Sequence, residues 1–424
     1  MTVPGKGGRP KKKEREGQLL PGLLPGVSID DPAVSERMGY VKAAFAAQRG
    51  VKKTWKGSIA VPPGSLLDDI CMEWQKQTNI PLETPFHTFL ILLAGYLIDR
   101  GVTIEVEGGK KISPDLWTII LAKSGSGKTW TKNELKPIIS GAKEIQATGA
   151  AGAAAWLQSL STTPKGVWIR DEFLQFLKQL EGTGPLSDVK DYLLRIYDNE
   201  TITRETKRDK IVLEDPVVAI LGFNVFETFV RGMSLESLTD GFAQRFGYVI
   251  AREDPKRPWK DYPFWTISGE SKLDWKERWE IIKGEIKDSY IASKNASSFF
   301  KRSFKNLSNI DIPESFYRRI MWKSHKYALL YHVLRNPSSP EIDDEDYGWA
   351  ARLIGLELSD AAEILTKAGF SDLGHTLDAV EQLVTRLKEK GEDVTVRAVV
   401  RGTRAIKTVA EARACLDILG ISAK

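Results

Sequence analysis

The hydrophobic positions of this chain change period several times, and each change marks a new element. Through residues 31–109 apolar residues recur mainly at helical spacing. One helix, PPGSLLDDICMEWQKQT, opens after Pro62 and Pro63. A second, FHTFLILLAGYLIDRG, is apolar on nearly every face and therefore belongs inside a core. Its apolar run falls short of the roughly 20 residues that a membrane-spanning helix needs. VTIEVEGGKKI then alternates about Gly108 and Gly109, which predicts a short hairpin.

From residue 116 onward, apolar runs of strand length are separated by amphipathic helices. LWTIILA, EIQATG, GVWI, VVAILGFN and residues 246–251 read as five strands. A helix over 132–140, AGAAAWLQSL, LQFLKQLEG, SDVKDYLLRIYDNE and FETFVRGMSLESL fall between them. Strands that are apolar on both faces and linked by helices predict a parallel sheet covered by helices, an α/β fold. One insertion departs from that rhythm: TITRETKRDKIVLEDP alternates Thr, Ile and Val with Arg204, Lys207, Arg208 and Lys210, a hairpin with a basic tip. It reads either as a DNA-backbone contact or as an exposed polar hairpin. Residues 273–369 are helical in period throughout, and three short helices with polar breaks follow, the pattern of a helix-turn-helix or winged-helix unit. Arg397, Arg401, Arg404 and Lys407 make its second half basic.

Five segments result: a basic tail (1–30) expected to be disordered, an N-terminal helical region (31–110), an α/β core (111–265), a helical lid (266–370) and a winged-helix-like end (371–424). Composition changes this picture little. With 424 residues, 42% hydrophobic, the chain can bury a large core, and a net charge of +5 over that length says little about partners. No secretory signal opens it, and Cys71 and Cys415 lie far apart without metal-ligand spacing, which fits a reducing cytoplasm and no structural zinc.

The chemistry concentrates where strands end. LWTIILAKSGSGKTW carries a buried strand into a glycine-punctuated turn and then a helix, the order a phosphate-cradling loop requires. Ala122, Lys123, Ser124, Gly125, Ser126 and Gly127 would form the cradle, Lys128 would reach the β- and γ-phosphates of ATP, and the Thr129 hydroxyl would hold Mg²⁺. Ala122 stands where the usual pattern has its first glycine. Downstream, GVWIRDEF ends a strand in Asp171 and Glu172. These carboxylates fit a metal ligand and a general base, or else a cap on the following helix. Asn224, closing VVAILGFN, is placed to position an attacking water. Arg245 precedes the fifth strand and fits either a charge supplied to a neighbouring subunit's γ-phosphate or a local ion pair. The aromatics of REDPKRPWKDYPFWT can stack on bases or anchor packing.

Taken together, the phosphate loop, the DE strand, the basic hairpin, the Asn strand and DGFAQRF resemble an AAA+-type ATPase of the minichromosome-maintenance and superfamily 3 helicase group. More closely, they resemble the helicase-like domains of phages, plasmids and mobile elements that are often fused to a primase. Thr203–Arg204, Asp215–Pro216 and the run GFAQRF carry the closer match. The resemblance implies a P-loop core with strand order 5-1-4-3-2, a ring of about six copies, ATP bound between neighbours and single-stranded DNA in the channel. It also implies Asn224 as a sensor, Arg245 acting in trans, and Lys326 as a second sensor where relatives carry arginine. The function expected is a replicative helicase working with a separate primase or initiator, in the cytoplasm of a bacterial host. The alternative is an ATP-dependent DNA-binding loader or regulator that does not unwind.

Overall fold

A computed structural model describes residues 55–147, 150–205, 210–254, 257, 262–308, 312–403, 406, 408–419 and 421. The basic tail, Lys207, Arg208, Arg404 and Lys407 lie outside the described residues. The strands are β1 (Thr103–Val106), β2 (Lys110–Ile112), β3 (Trp117–Ala122), β4 (Lys165–Arg170), β5 (Ile202–Glu205), β6 (Lys210–Leu213), β7 (Val217–Val225), β8 (Gly247–Ile250), β9 (Ser289–Ala292) and β10 (Glu341–Ile342).

The chain is a mixed α/β protein whose central sheet is parallel, in the order β4-β7-β3-β8. Every residue of β3 is buried, as expected for a strand covered on both faces. The register sets Leu121 beside both Asn224 and Ile250, so the carboxyl ends of β3, β7 and β8 finish level. In the strand numbering that the resemblance implies, this is 5-1-4-3. Of the second strand, expected over EIQATG, the described residues show one parallel bridge, between Glu144 and Val167. There Ile145 donates its N–H to the Val167 carbonyl and Val167 donates to Lys143, each at 2.8 Å. The approach is possible because residue 166 is glycine: a Cβ there would stand 2.4 Å from the Lys143 carbonyl oxygen.

Helix Glu83–Asp99 lies across this sheet, with residues 84–98 all buried, and Gly95 meets Val167 where a Cβ would have no room. The basic hairpin is present as β5 and β6, antiparallel, with Glu205 opposite Lys210. The region expected to be helical throughout contains two short strands. β9 and β10 join β1 and β2 in a second sheet, ordered β10-β9-β1-β2. Strands of four and two residues are too short to interrupt a helical period along the sequence. One apolar core therefore runs from Trp55 to Ala368, drawing together the segments before 110 and after 266.

The C-terminal expectation also changes. A single helix spans Asp344–Glu389, running through the boundary expected after residue 370, because Gly369 and Gly374 are tolerated within it. It opens with a capping box in which Asp343 accepts from Asp346 N–H. Helices Val396–Gly402 and Val409–Ile418 fold back on its end around a small core that includes Val380, Val399 and Leu416. No strand accompanies them among the described residues, so the unit carries helices but no wing. Cys71 and Cys415 are buried, and neither is in a disulfide. Among the described residues no helix is long and apolar enough to cross a membrane.

Candidate functional site

β3 ends at Ala122, and the chain turns through Lys123–Gly127 into helix Lys128–Leu135. Gly125 and Gly127 both sit in the left-handed region, at φ 74° and 75°. Gly127 is doubly constrained, since a Cβ on it would lie 2.5 Å from Ile80 and 3.2 Å from Trp265. Ala122 is a strand residue paired with Val225 and is buried, which explains why glycine is dispensable there. The Lys128 ammonium donates to the Lys123 carbonyl at 2.8 Å and lies 3.5 Å from Ser126 Oγ. Burial lowers its pKa, and the nearby Asp171 offsets part of that. The loop thus gathers a positive charge over a turn of backbone that opens a helix, a geometry suited to phosphate.

The acidic strand end meets this loop. Thr129 Oγ1 donates to Asp171 Oδ2 at 3.1 Å, across 42 residues of sequence. A hydroxyl and a carboxylate so placed form a pair of hard oxygen donors of the kind Mg²⁺ takes, alongside water and phosphate oxygens. Asp171 Oδ1 accepts the Glu172 N–H at 2.9 Å, and Glu172 itself has φ 49°, a strained setting for a side chain other than glycine. Although Glu172 occupies the N-cap position of helix Phe173–Leu180, its side chain makes no capping hydrogen bond and reaches Gln175 instead.

Asn224 supplies the cap. Its Oδ1 accepts the Leu174 N–H at 3.1 Å and its amide donates to the Val225 carbonyl at 2.9 Å, in a site where the residue is buried. Both ends of the amide therefore hold backbone, and Asn224 fixes the turn that carries Asp171 and Glu172. Gly222 beside it makes room for Phe173, whose ring would stand 2.7 Å from a Cβ.

A cavity of about 580 Å³ extends from Lys123–Ser126. Its far wall comes from Asn79, Ile80 and Pro81 and from Tyr262 and Trp265, with Glu363 and Lys367 of the long helix closing one side. Trp265 donates from Nε1 to Asn79 Oδ1 at 2.8 Å and lies 5.6 Å from Trp130, while Arg257 donates to the carbonyls of Trp74 and Ile80, closing the end of helix Leu66–Gln77. Of the aromatics read in sequence as base-stacking or packing residues, Tyr262 and Trp265 thus wall the loop's own cavity, Phe264 is exposed, and Trp259 lies outside the described residues. Nothing in the sequence pointed to Asn79 or Ile80.

Arg245 and Lys326 lie elsewhere. Arg245 directly precedes β8, at the amino end of a sheet whose carboxyl end carries the loop. The strand between them is roughly 20 Å long. Its guanidinium pairs with Asp198 at 3.3 Å, bonds the Gly241 carbonyl and lies over Tyr197, with Nε buried and unpartnered among the described residues. Lys326 is at the same end, buried, bonded to the Asp115 carbonyl at 2.9 Å and paired with its carboxylate at 3.1 Å. Burial pushes the Asp115 carboxyl up, with Lys326 opposing. The expected place of Lys326 in the cradle is therefore corrected: within one copy it sits at the wrong end of β3. Of the hairpin cations, Arg204 is held to helix Ser187–Tyr197 by Tyr192 Oη at 2.8 Å and Asp188 at 3.5 Å, whereas Lys210 is exposed. Models of known protein families and curated proteins, compared with this chain, give no match.

Proposed function

We propose that the chain is an ATPase with an AAA+-like P-loop core, acting as a ring of copies, six by analogy, that drives single-stranded DNA during replication of a phage or other mobile element. The observation that carries the ATPase reading is the 3.1 Å contact between Thr129 and Asp171, made at the mouth of a loop with two left-handed glycines. Strand order 5-1-4-3 supports the AAA+-like reading, and the basic hairpin supports DNA as the partner.

Bound ATP with Mg²⁺ would supply the transferable phosphoryl group and a centre of charge. Lys128 neutralises the phosphates, and Thr129 with Asp171 holds the metal. Glu172, exposed on its strained turn, takes the proton of the attacking water, while Asn224 keeps that turn fixed by capping the helix behind it. Arg245 is a sheet-length from the loop of its own copy, so it serves the loop of a neighbour, where such a charge is worth about 10³–10⁵ in rate.

Hydrolysis of ATP by the purified protein, its loss in Asp171→Asn and Glu172→Gln, and strand separation on a forked duplex test the proposal. ATP hydrolysis at full rate by a strictly monomeric particle would overturn the ring. Hydrolysis that never responds to single strands, with ATP-gated binding to a duplex, would replace the translocase with a loader or regulator.

A further inference from the structure

Beside the Asp171 turn, at the sheet edge formed by β4, lies a second cavity of about 500 Å³. Arg170, Lys178, Trp156, Phe176, Ala151 and Pro185 are among the residues lining it. Arg170 is the last residue of β4, and its guanidinium carbon lies 4.8 Å from the centre of the Phe176 ring. Among the described residues no carboxylate, hydroxyl or carbonyl bonds to that guanidinium; the ring is its one partner. A desolvated cation without an anion is unfavourable by itself and becomes favourable when an anion is brought to it. Lys178 adds a second, exposed cation at the same cavity, against a single carboxylate, Glu181.

Two features indicate the kind of anion. The space exceeds what an inorganic phosphate fills and matches a whole nucleotide unit. In addition, helix Ala153–Ser161, whose Trp156 lines the cavity, packs against β6 of the basic hairpin, so the cavity and the hairpin are neighbours.

We propose that this cavity is a backbone-phosphate subsite for single-stranded DNA, in which Arg170 and Lys178 grip one phosphate next to the hairpin. The subsite rests on the functional reading above and adds a coupling to it. Arg170 is joined by one peptide bond to Asp171, so a strand seated there bears directly on the carboxylate that holds the metal.

The test is the binding of a fluorescently labelled oligothymidylate by the full chain, measured by anisotropy over a range of salt concentrations. Arg170→Ala is expected to weaken binding about tenfold and to lower the salt slope by about one, with Arg170→Lys keeping the slope. Lys178→Gln changes an exposed residue and is expected to lower the slope in the same direction, which keeps the test open should Arg170→Ala fail to fold. Wild-type slopes in Arg170→Ala and Lys178→Gln would overturn the subsite. So would lost affinity for a labelled ATP analogue with oligonucleotide binding intact, which would mark the cavity as a nucleotide pocket. ATP hydrolysis without any oligonucleotide binding by the wild type would remove the subsite and leave the phosphate loop standing. Oligonucleotide binding without hydrolysis would do the reverse.

Discussion

The two ends of the central sheet hold cations in opposite ways. At the carboxyl end, Lys128 is bonded to a carbonyl and a hydroxyl, while Asp171 is engaged by Thr129 and Glu253 by Lys123 of the loop. At the amino end, Lys326 is sealed against Asp115, and Arg245 shares the more exposed Asp198. The same charge thus has three fates: free for a ligand, buried in a permanent pair, or largely buried against an exposed partner. Burial and the partner's own exposure decide between them, and a sequence shows neither. Asp198 has a side chain 54% exposed, so its hold on Arg245 is weak and easily exchanged for a stronger anion.

The largest effect that would sharpen this contrast concerns Arg245. Arg245→Ala is expected to lower steady-state ATP hydrolysis by about 10³–10⁵ with nucleotide affinity little changed. If the arginine serves another copy's loop, as proposed, mixing this variant with Lys128→Ala should restore part of the activity, since mixed interfaces contain one intact loop facing one intact arginine. Hydrolysis by Arg245→Ala at the wild-type rate would reduce the residue to a local ion pair with Asp198.

Lys326 should behave differently although it neighbours the same Tyr197 ring. Lys326→Met strands a buried carboxylate at Asp115, and stability is expected to fall by about 3–5 kcal/mol in chemical denaturation. Replacing both partners, Lys326→Met with Asp115→Leu, should recover most of it. Hydrolysis per folded molecule stays near wild type if the pair is structural. A selective loss of nucleotide affinity in a stable Lys326→Met protein would return the residue to the site.

These outcomes bear on what could be read in advance. The strand–loop–helix turn after β3 was legible because all its information lies in one stretch: an apolar strand, two glycines that need positive φ, a lysine and a threonine. Asp171 and Glu172 were legible because a strand that ends in carboxylates after such a loop has few places to go. Asn224 was found, but its bond to Leu174, 50 residues away, was not, and that bond makes it a brace for the turn. The far wall of the cavity, Asn79 and Ile80, depends on how one helix end packs against Arg257 and Trp265, and no local pattern encodes that. β9 and β10 were hidden for a related reason: β9 pairs with β1 of a hairpin that lies far away in sequence, and β10 in turn pairs with β9.

A third, smaller effect separates buried acids from buried pairs. Glu83 opens the helix that crosses the sheet, and burial pushes its carboxyl up from 4.5 to about 7, against the help of its own backbone N–H and of Arg252 and Lys56. Asp360, also facing it, raises it further. Since the folded form keeps the proton longer than the unfolded chain, the stabilisation is complete below pH 4.5 and is lost as pH rises towards 7, by about 3 kcal/mol in all. Glu83→Gln should flatten this fall, making the variant the more stable protein at pH 8 while leaving pH 4 nearly unchanged. Denaturation midpoints across that range decide it. Equal pH profiles would mean that Glu83 is solvated or paired.

The smallest effect expected is at Ala122, where the loop departs from the usual glycine. If that glycine existed to permit positive φ, restoring it would relieve strain and tighten nucleotide binding. Ala122 instead pairs with Val225 as the last rung of a parallel ladder and is not among the residues at positive φ. Glycine there would gain no needed freedom and would lose the buried methyl as well as the rigidity of the strand end. Ala122→Gly is therefore expected to cost about 0.5–1 kcal/mol of stability and to leave the affinity for ATP where it was. A gain in affinity would show that the curl of the loop begins one residue earlier, inside β3, and that the sheet end and the cradle are less separable than the ladder implies.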